Sequence, residues 1–146
     1  MDKAAIIHYL HTHIPISKAM GVEVVERSEA AITLSAPFAP NINHQGTVFG
    51  GSIASVATLA AWTMIYVRLK AEGLDGDLVV QRSNIEYLLP MRETFTARCA
   101  LNEQAWQRFS SMFARRQKGR LHMLSEVYCG NALTCRLEGD FVVSAP

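Results

Sequence analysis

Residues 41–52 read Asn-Ile-Asn-His-Gln-Gly-Thr-Val-Phe-Gly-Gly-Ser and stand directly before a long run that is almost all small or apolar. A polar, glycine-rich loop that feeds a buried helix leaves that helix's first N–H groups free. The dipole at the same end favours developing negative charge. Such an end could hold a substrate oxygen, with Gly50 and Gly51 admitting it because neither has a side chain to keep a carbonyl away. The plainer reading is a glycine-rich turn needed for helix–sheet packing. Asn43 carries an amide that donates and accepts at once, which suits holding water or satisfying the loop's own backbone. His44 has the intrinsic pKa of a general base. Helical spacing puts Gly51, Ser55 and Thr58 on one face.

The elements that must position these residues can be read from pattern. Ile6, Ile7 and Leu10 predict a helix over residues 3–13, which Pro15 stops. Two β-branched segments, 21–28 and 30–36, predict a strand pair. A helix is expected from Gly51 to about Glu72, uncharged until Arg68, with Gly73 ending it. Strands follow over 78–89 and 94–101. Asn102 is then the N-cap of a helix over 103–118, with Trp106, Phe109 and Phe113 on one stripe and Gly119 as its stop. Two final strands, 120–129 and 132–143, join through Gly130-Asn131 as a hairpin. That turn places 129 opposite 132 and 135 opposite 126, so Cys129 and Cys135 are out of register for a bridge. The expected fold is α+β: an antiparallel six-stranded sheet wrapped around one long buried helix, with an N-terminal helix and a further helix between strands 4 and 5. The open edge of such a sheet favours pairing with a second copy.

Composition narrows the function. The 146 residues are read as one domain, 49% hydrophobic and 18% charged, with a formal charge of +1. That charge offers no global attraction to nucleic acid or an anionic membrane, so anion recognition must be local. The apolar run Ile53–Val67 is short for a bilayer and broken by Ser55, Thr58 and Thr63. No signal peptide is seen, and a cytoplasmic protein with reduced thiols at Cys99, Cys129 and Cys135 is expected. His8, His11 and His13 belong to a surface helix rather than a metal site. No cofactor is expected. The basic cluster Arg115, Arg116, Lys118 and Arg120 reads as a solvated helix end, or as a meeting point for phosphates.

The order Asn43, Gly46, Gly50, Gly51 ahead of the buried helix resembles the Asn-x-x-Gly-x-x-x-Gly-Gly pattern of hotdog-fold thioesterases. It is similar to the phenylacetyl-CoA type, and more so to the thioesterase domain at the C-terminus of some bacterial GNAT-type acetyltransferases. The segments "MGVEV", "IEYLLP", "KGR" and "LEGDFV" follow the latter pattern in order, from about residue 14 to 143. The acetyltransferase half is not expected, since one domain uses the whole chain.

The resemblance implies hydrolysis of an acyl-CoA or acyl-carrier-protein thioester at a dimer interface, in a homodimer or a dimer of dimers. It gives Gly50 the oxyanion N–H and Asn43 the water or thioester. Gly46, Ser55 and His44 become substrate contacts, although the family places no catalytic histidine at 44. Where the phenylacetyl-CoA type commonly has a histidine before the glycine pair, this chain has Phe49, expected to line an acyl pocket or the dimer contact. Where the phenylacetyl-CoA type has a carboxylate on the buried helix, fifteen residues after the asparagine, this chain has Thr58. No Asp or Glu lies between Glu29 and Glu72, which leaves Glu86, from its own or a partner subunit, as the candidate carboxylate. The Thr58 departure keeps open a non-catalytic acyl-thioester binder or a partner subunit of an acetyltransferase. A dehydratase on the same fold ranks last, because it needs a histidine and a carboxylate together.

Overall fold

The computed structural model describes residues 1–146. In chain order it contains α1 (Lys3–His13), α2 (Pro15–Ala19), β1 (Glu23–Arg27), β2 (Ala31–Ala36), a 3-10 turn (Ala39–Asn41) and α3 (Gly50–Ala71). These are followed by β3 (Asp77–Tyr87), β4 (Phe95–Ala100), α4 (Glu103–Arg116), β5 (Lys118–Cys129) and β6 (Ala132–Ser144). The six strands form one antiparallel sheet in the order β1-β2-β4-β5-β6-β3. Helix α3 packs against β2, β3, β4, β5 and β6, the hotdog arrangement expected from the pattern.

The centre is apolar for a physical reason. Val56, Ala57, Ala60, Ala61 and Ile65 are fully buried along α3 and let the sheet approach closely. Ser125 of β5 donates from Oγ to the Ala57 carbonyl at 2.7 Å, tying strand to helix. By length and composition α3 could cross a bilayer, but most of it is buried in the core.

Three local expectations are corrected. Pro15 does not merely stop α1: it occupies the first turn of α2, where a missing N–H costs nothing. Gln117, at φ 59°, rather than Gly119, provides the left-handed cap of α4. Gly119 lies in β5, where a Cβ would stand 2.6 Å from the Phe109 ring, so the glycine serves close helix–strand packing. A bulge between Val127 and Tyr128 puts Cys135 opposite Val127 rather than Glu126. All three cysteines are free.

The outer face of the sheet carries a charged cluster. His122 bonds through Nδ1 to Asp140 at 2.8 Å and through Nε2 to Glu138 at 3.0 Å. The Asp140 bond, then the Glu138 bond, raises the imidazole pKa above its ordinary value, and the same His122 bond lowers that of Asp140. The histidine's contribution to stability is complete below its unfolded pKa and is lost as pH rises through the raised value. That of Asp140 is present above the ordinary carboxylate range and is lost as pH falls through the lowered one. Both act fully from about pH 4 to about pH 6.5. The ring is mostly exposed, so its effect on overall stability is small. NMR should show the His122 ring titrating above the ordinary histidine range and returning toward it in Asp140→Asn. A wild-type midpoint at or below the ordinary value would contradict the pairing.

Candidate active site

The loop before α3 is held at both ends. Asn41 is buried, and its Nδ2 donates to the carbonyls of Met20 and Pro37, each at 2.8 Å. Its own carbonyl accepts from Phe49 N–H at 2.7 Å, while Val48 N–H donates to Met91 at 2.9 Å. Between these anchors, Ile42 bridges Val48 and encloses a small turn.

Asn43 organises that turn. Its Oδ1 accepts from the N–H groups of Gln45 (2.9 Å) and Thr47 (3.1 Å), and its Nδ2 donates to Thr47 Oγ1 at 2.7 Å. Gly46 supplies φ 77°. His44 stands exposed at the tip. The Asn43 oxygen is thus committed to its own loop, and one N–H of its amide remains to meet water or substrate.

Phe49 then enters α3 in extended conformation, with ψ 131° and no side chain capping the helix. The contrast with the other long helices is direct. Asp2 caps α1 by accepting from Ala5 N–H, and Asn102 caps α4 by accepting from Ala105 N–H. In α3 the first N–H with a partner is that of Ile53, which donates to Phe49, so those of Gly50, Gly51 and Ser52 are free. Three unpaired donors therefore meet the positive end of a 22-residue helix. Phe49 is 55% exposed and its ring lies over Gly51, where a Cβ would come within 2.3 Å of it.

A groove of about 350 Å³ begins one turn further along α3, lined by Ser55 and Thr58 together with Ile14, Ala54, Leu59 and Trp62. Ser55 donates to the Gly51 carbonyl at 2.8 Å, which leaves its lone pairs free to accept. The Thr58 hydroxyl makes no hydrogen bond within the chain, and the residue lines the groove among mainly apolar neighbours. Gly51, Ser55 and Thr58 thus share one face of α3, with Gly50 as its first residue and Phe49 at its head.

Glu86 is not brought there within the protomer. Its β3 neighbours Ile85 and Tyr87 lie opposite the buried Leu137 and Cys135, so alternation turns Glu86 toward the outer face, opposite Arg136. Burial pushes the Cys99 and Cys135 thiols up to about 11, which rules them out as thiolate nucleophiles at neutral pH.

Two residues escaped the sequence reading. One is Asn41. The other is Tyr87, whose hydroxyl donates to the Gly50 carbonyl at 3.1 Å and fixes where α3 begins. Its ring lies 3.5 Å from where a Gly50 Cβ would stand. Pattern does not flag either one, because Asn41 joins its neighbour Pro37 to Met20, 21 residues away, and the partner of Tyr87 is 37 residues away. Tyr87→Phe keeps the ring and removes one hydrogen bond of about 1 kcal/mol. If the helix end is the reacting centre, turnover in this variant should fall about fivefold with little change in melting temperature. Unchanged turnover would make Tyr87 a packing residue only.

Over residues 3–145 the chain matches the family described as "Putative thioesterase (yiiD_Cterm)". Its structure is similar to that of a protein of unknown function from Chlorobaculum tepidum TLS, at TM-score 0.93 and 26% identity, covering 99% of this chain and 94% of that one. It is also similar to the putative thioesterase from Shewanella oneidensis, at TM-score 0.84 and 26% identity over 99% and 97% of the two chains. A "Probable Thioesterase" from Pseudomonas aeruginosa, 12% identical, shares the fold at TM-score 0.87 over 100% of this chain and 97% of its own.

Proposed function

Because the chain belongs to the thioesterase family that matches residues 3–145, we propose that it hydrolyses acyl-CoA or acyl-carrier-protein thioesters at the N-terminus of α3. The observation that carries this reading is the uncapped helix end. Gly50, Gly51 and Ser52 offer free N–H groups beside a groove apolar enough for an acyl chain. In this reading the thioester carbonyl sits against Gly50 N–H, where negative charge develops as water attacks. Asn43 and His44 border the entrance from the loop, and Thr58 with Ser55 holds the attacking water. The acyl chain lies along Ala54, Leu59 and Trp62.

The working unit is a homodimer paired through β3, an open edge of the sheet. Exposed Val79, Val80, Leu88 and Leu89 on β3 and just beyond it support that contact. Glu86 of a second copy is then the candidate carboxylate. The three free thiols suit a reducing, cytoplasmic setting.

A second reading rests on Thr58. With a hydroxyl where the phenylacetyl-CoA type has its carboxylate, the site suits an acyl-thioester binder without turnover. Thiol release measured with Ellman's reagent across acyl-CoA and acyl-carrier-protein donors decides between the two. Turnover that is lost in Thr58→Ala and Asn43→Ala, with folding intact, supports the hydrolase. Saturable binding without thiol release from any donor supports the binder.

A further inference from the structure

A second concavity, larger than the α3 groove, lies away from the α3 N-terminus. It encloses about 660 Å³ between α4 and the first residues of β5, with Val142 of β6 and Gln81 of β3 completing its wall. That volume suits a small molecule rather than a flat protein surface. Arg108 and Arg116 of α4 and Lys118 and Arg120 of β5 line it, and no carboxylate does. None of these four cations is in an ion pair, although Arg68 and Lys70 elsewhere are each paired. The nearby acids Asp140 and Glu138 are engaged by His122. Met112, Leu121 and Phe109 add an apolar floor. Unpaired guanidinium groups around an apolar floor fit a multiply phosphorylated group attached to a planar base.

We infer that this groove binds a phosphorylated nucleotide, and that its occupant is the nucleotide end of a CoA-borne substrate. The assignment to CoA rests on the hydrolase and dimer reading above. Coenzyme A carries a pyrophosphate and a ribose 3′-phosphate beside its adenine, whereas a carrier-protein thioester offers one phosphodiester and no base.

Placement agrees with that choice. Gln81 lies six residues along β3 from Tyr87, about 20 Å from the same protomer's helix end. If β3 pairs antiparallel with its copy over the whole of Asp77–Tyr87, Gln81 faces the copy's Ser83. The copy's Tyr87 is then four residues further along, about 13 Å away. The groove therefore serves the active site of the other protomer, with the pantetheine arm crossing the interface.

The test compares an acyl-CoA with the same acyl group on pantetheine, which has no nucleotide. Both are assayed with wild type and with Arg116→Ala/Arg120→Ala, whose exposed positions leave the fold intact. The variant should raise KM for acyl-CoA at least about tenfold at unchanged kcat, and leave acyl-pantetheine untouched. Equal effects on both substrates, or none, would overturn the inference. Calorimetry with 3′,5′-ADP reads the site without turnover, so it stands even if no donor is hydrolysed. Binding that weakens in the variant supports the groove. No binding to wild type overturns it. Binding that the variant abolishes while KM for acyl-CoA stays fixed would assign the groove to a free nucleotide and overturn the CoA assignment.

Discussion

Replacing Gly50 by proline is expected to lower thiol release about 10²–10³-fold, the usual cost of removing one oxyanion donor, while the protein stays folded. Proline deletes the N–H that would polarise the carbonyl. It does so at the one helical position where it is well tolerated, the first residue of α3. The preceding residue is already suited to it, since Phe49 has ψ 131° and proline favours an extended predecessor. A Cβ at position 50 would meet the Tyr87 ring at 3.5 Å, an ordinary contact. Gly50→Ala is the control: it keeps the N–H, adds the same Cβ and improves helix propensity. Its loss should stay below about tenfold. Equal losses in both variants would mean that space, and not the donor, limits the reaction. Full activity in Gly50→Pro would remove Gly50 from the chemistry.

The start of α3 differs from those of the other two long helices. Helices α1 and α4 begin with Asp2 and Asn102, each bonded to the third N–H of its helix. Helix α3, twice the length of α1, begins with Phe49 and two glycines. A polar cap such as Asp or Asn at position 49 would occupy a donor and stabilise the helix by about 1 kcal/mol. The chain forgoes that gain at the end of its most buried helix. Free donors are useful to a substrate oxygen in a way that capped ones are not.

What was legible in the sequence was periodic or local. The run from Gly51 onward could be read as a central helix because it carries no charge until Arg68, and the structure starts it one residue earlier. The β5–β6 hairpin could be read because Gly130-Asn131 is a turn pair flanked by alternating strands. Errors came where two local signals compete. Pro15 can end one helix or begin the next, and backbone geometry chose the second. Gly119 looked like a cap, but Gln117 accepted the left-handed conformation and left the glycine for Phe109 to approach. The bulge at Val127 is invisible to alternation, and it moves Cys135 by one partner. Asn41 and Tyr87 were missed for a different reason. Asn41 acts by joining the end of α2 to the segment after β2, and Tyr87 by a contact with Gly50, and both exist only once distant segments have folded together. Of the basic residues, Arg116 at the end of α4 and Lys118 and Arg120 at the start of β5 line one groove, and Arg108, two turns earlier on α4, completes it. Only the helix axis reveals that grouping.

Asn41→Ala should destabilise the fold by about 3 kcal/mol, lowering the melting temperature by about 10 °C. Its amide spans two segments that share no secondary structure: Met20, after α2, and Pro37, after β2. Deleting it leaves two carbonyls without donors around a residue only 2% exposed. The loss is moderated because Asn41 Oδ1 is buried without a partner, and alanine relieves that cost. Asn41→Asp should therefore be worse than alanine: it removes both donors, keeps an unsatisfied oxygen and sets a carboxylate against two carbonyls. Asn43→Ala should be the mildest, since its bonds lie in a half-exposed turn that water can serve. The expected order of melting temperatures is Asn43→Ala above Asn41→Ala above Asn41→Asp. Turnover should follow a different order if Asn43 touches substrate, with Asn43→Ala the least active per folded molecule. A melting temperature for Asn41→Ala within about 2 °C of wild type would mean that water replaces the amide, and that the loop is held by its backbone bonds alone.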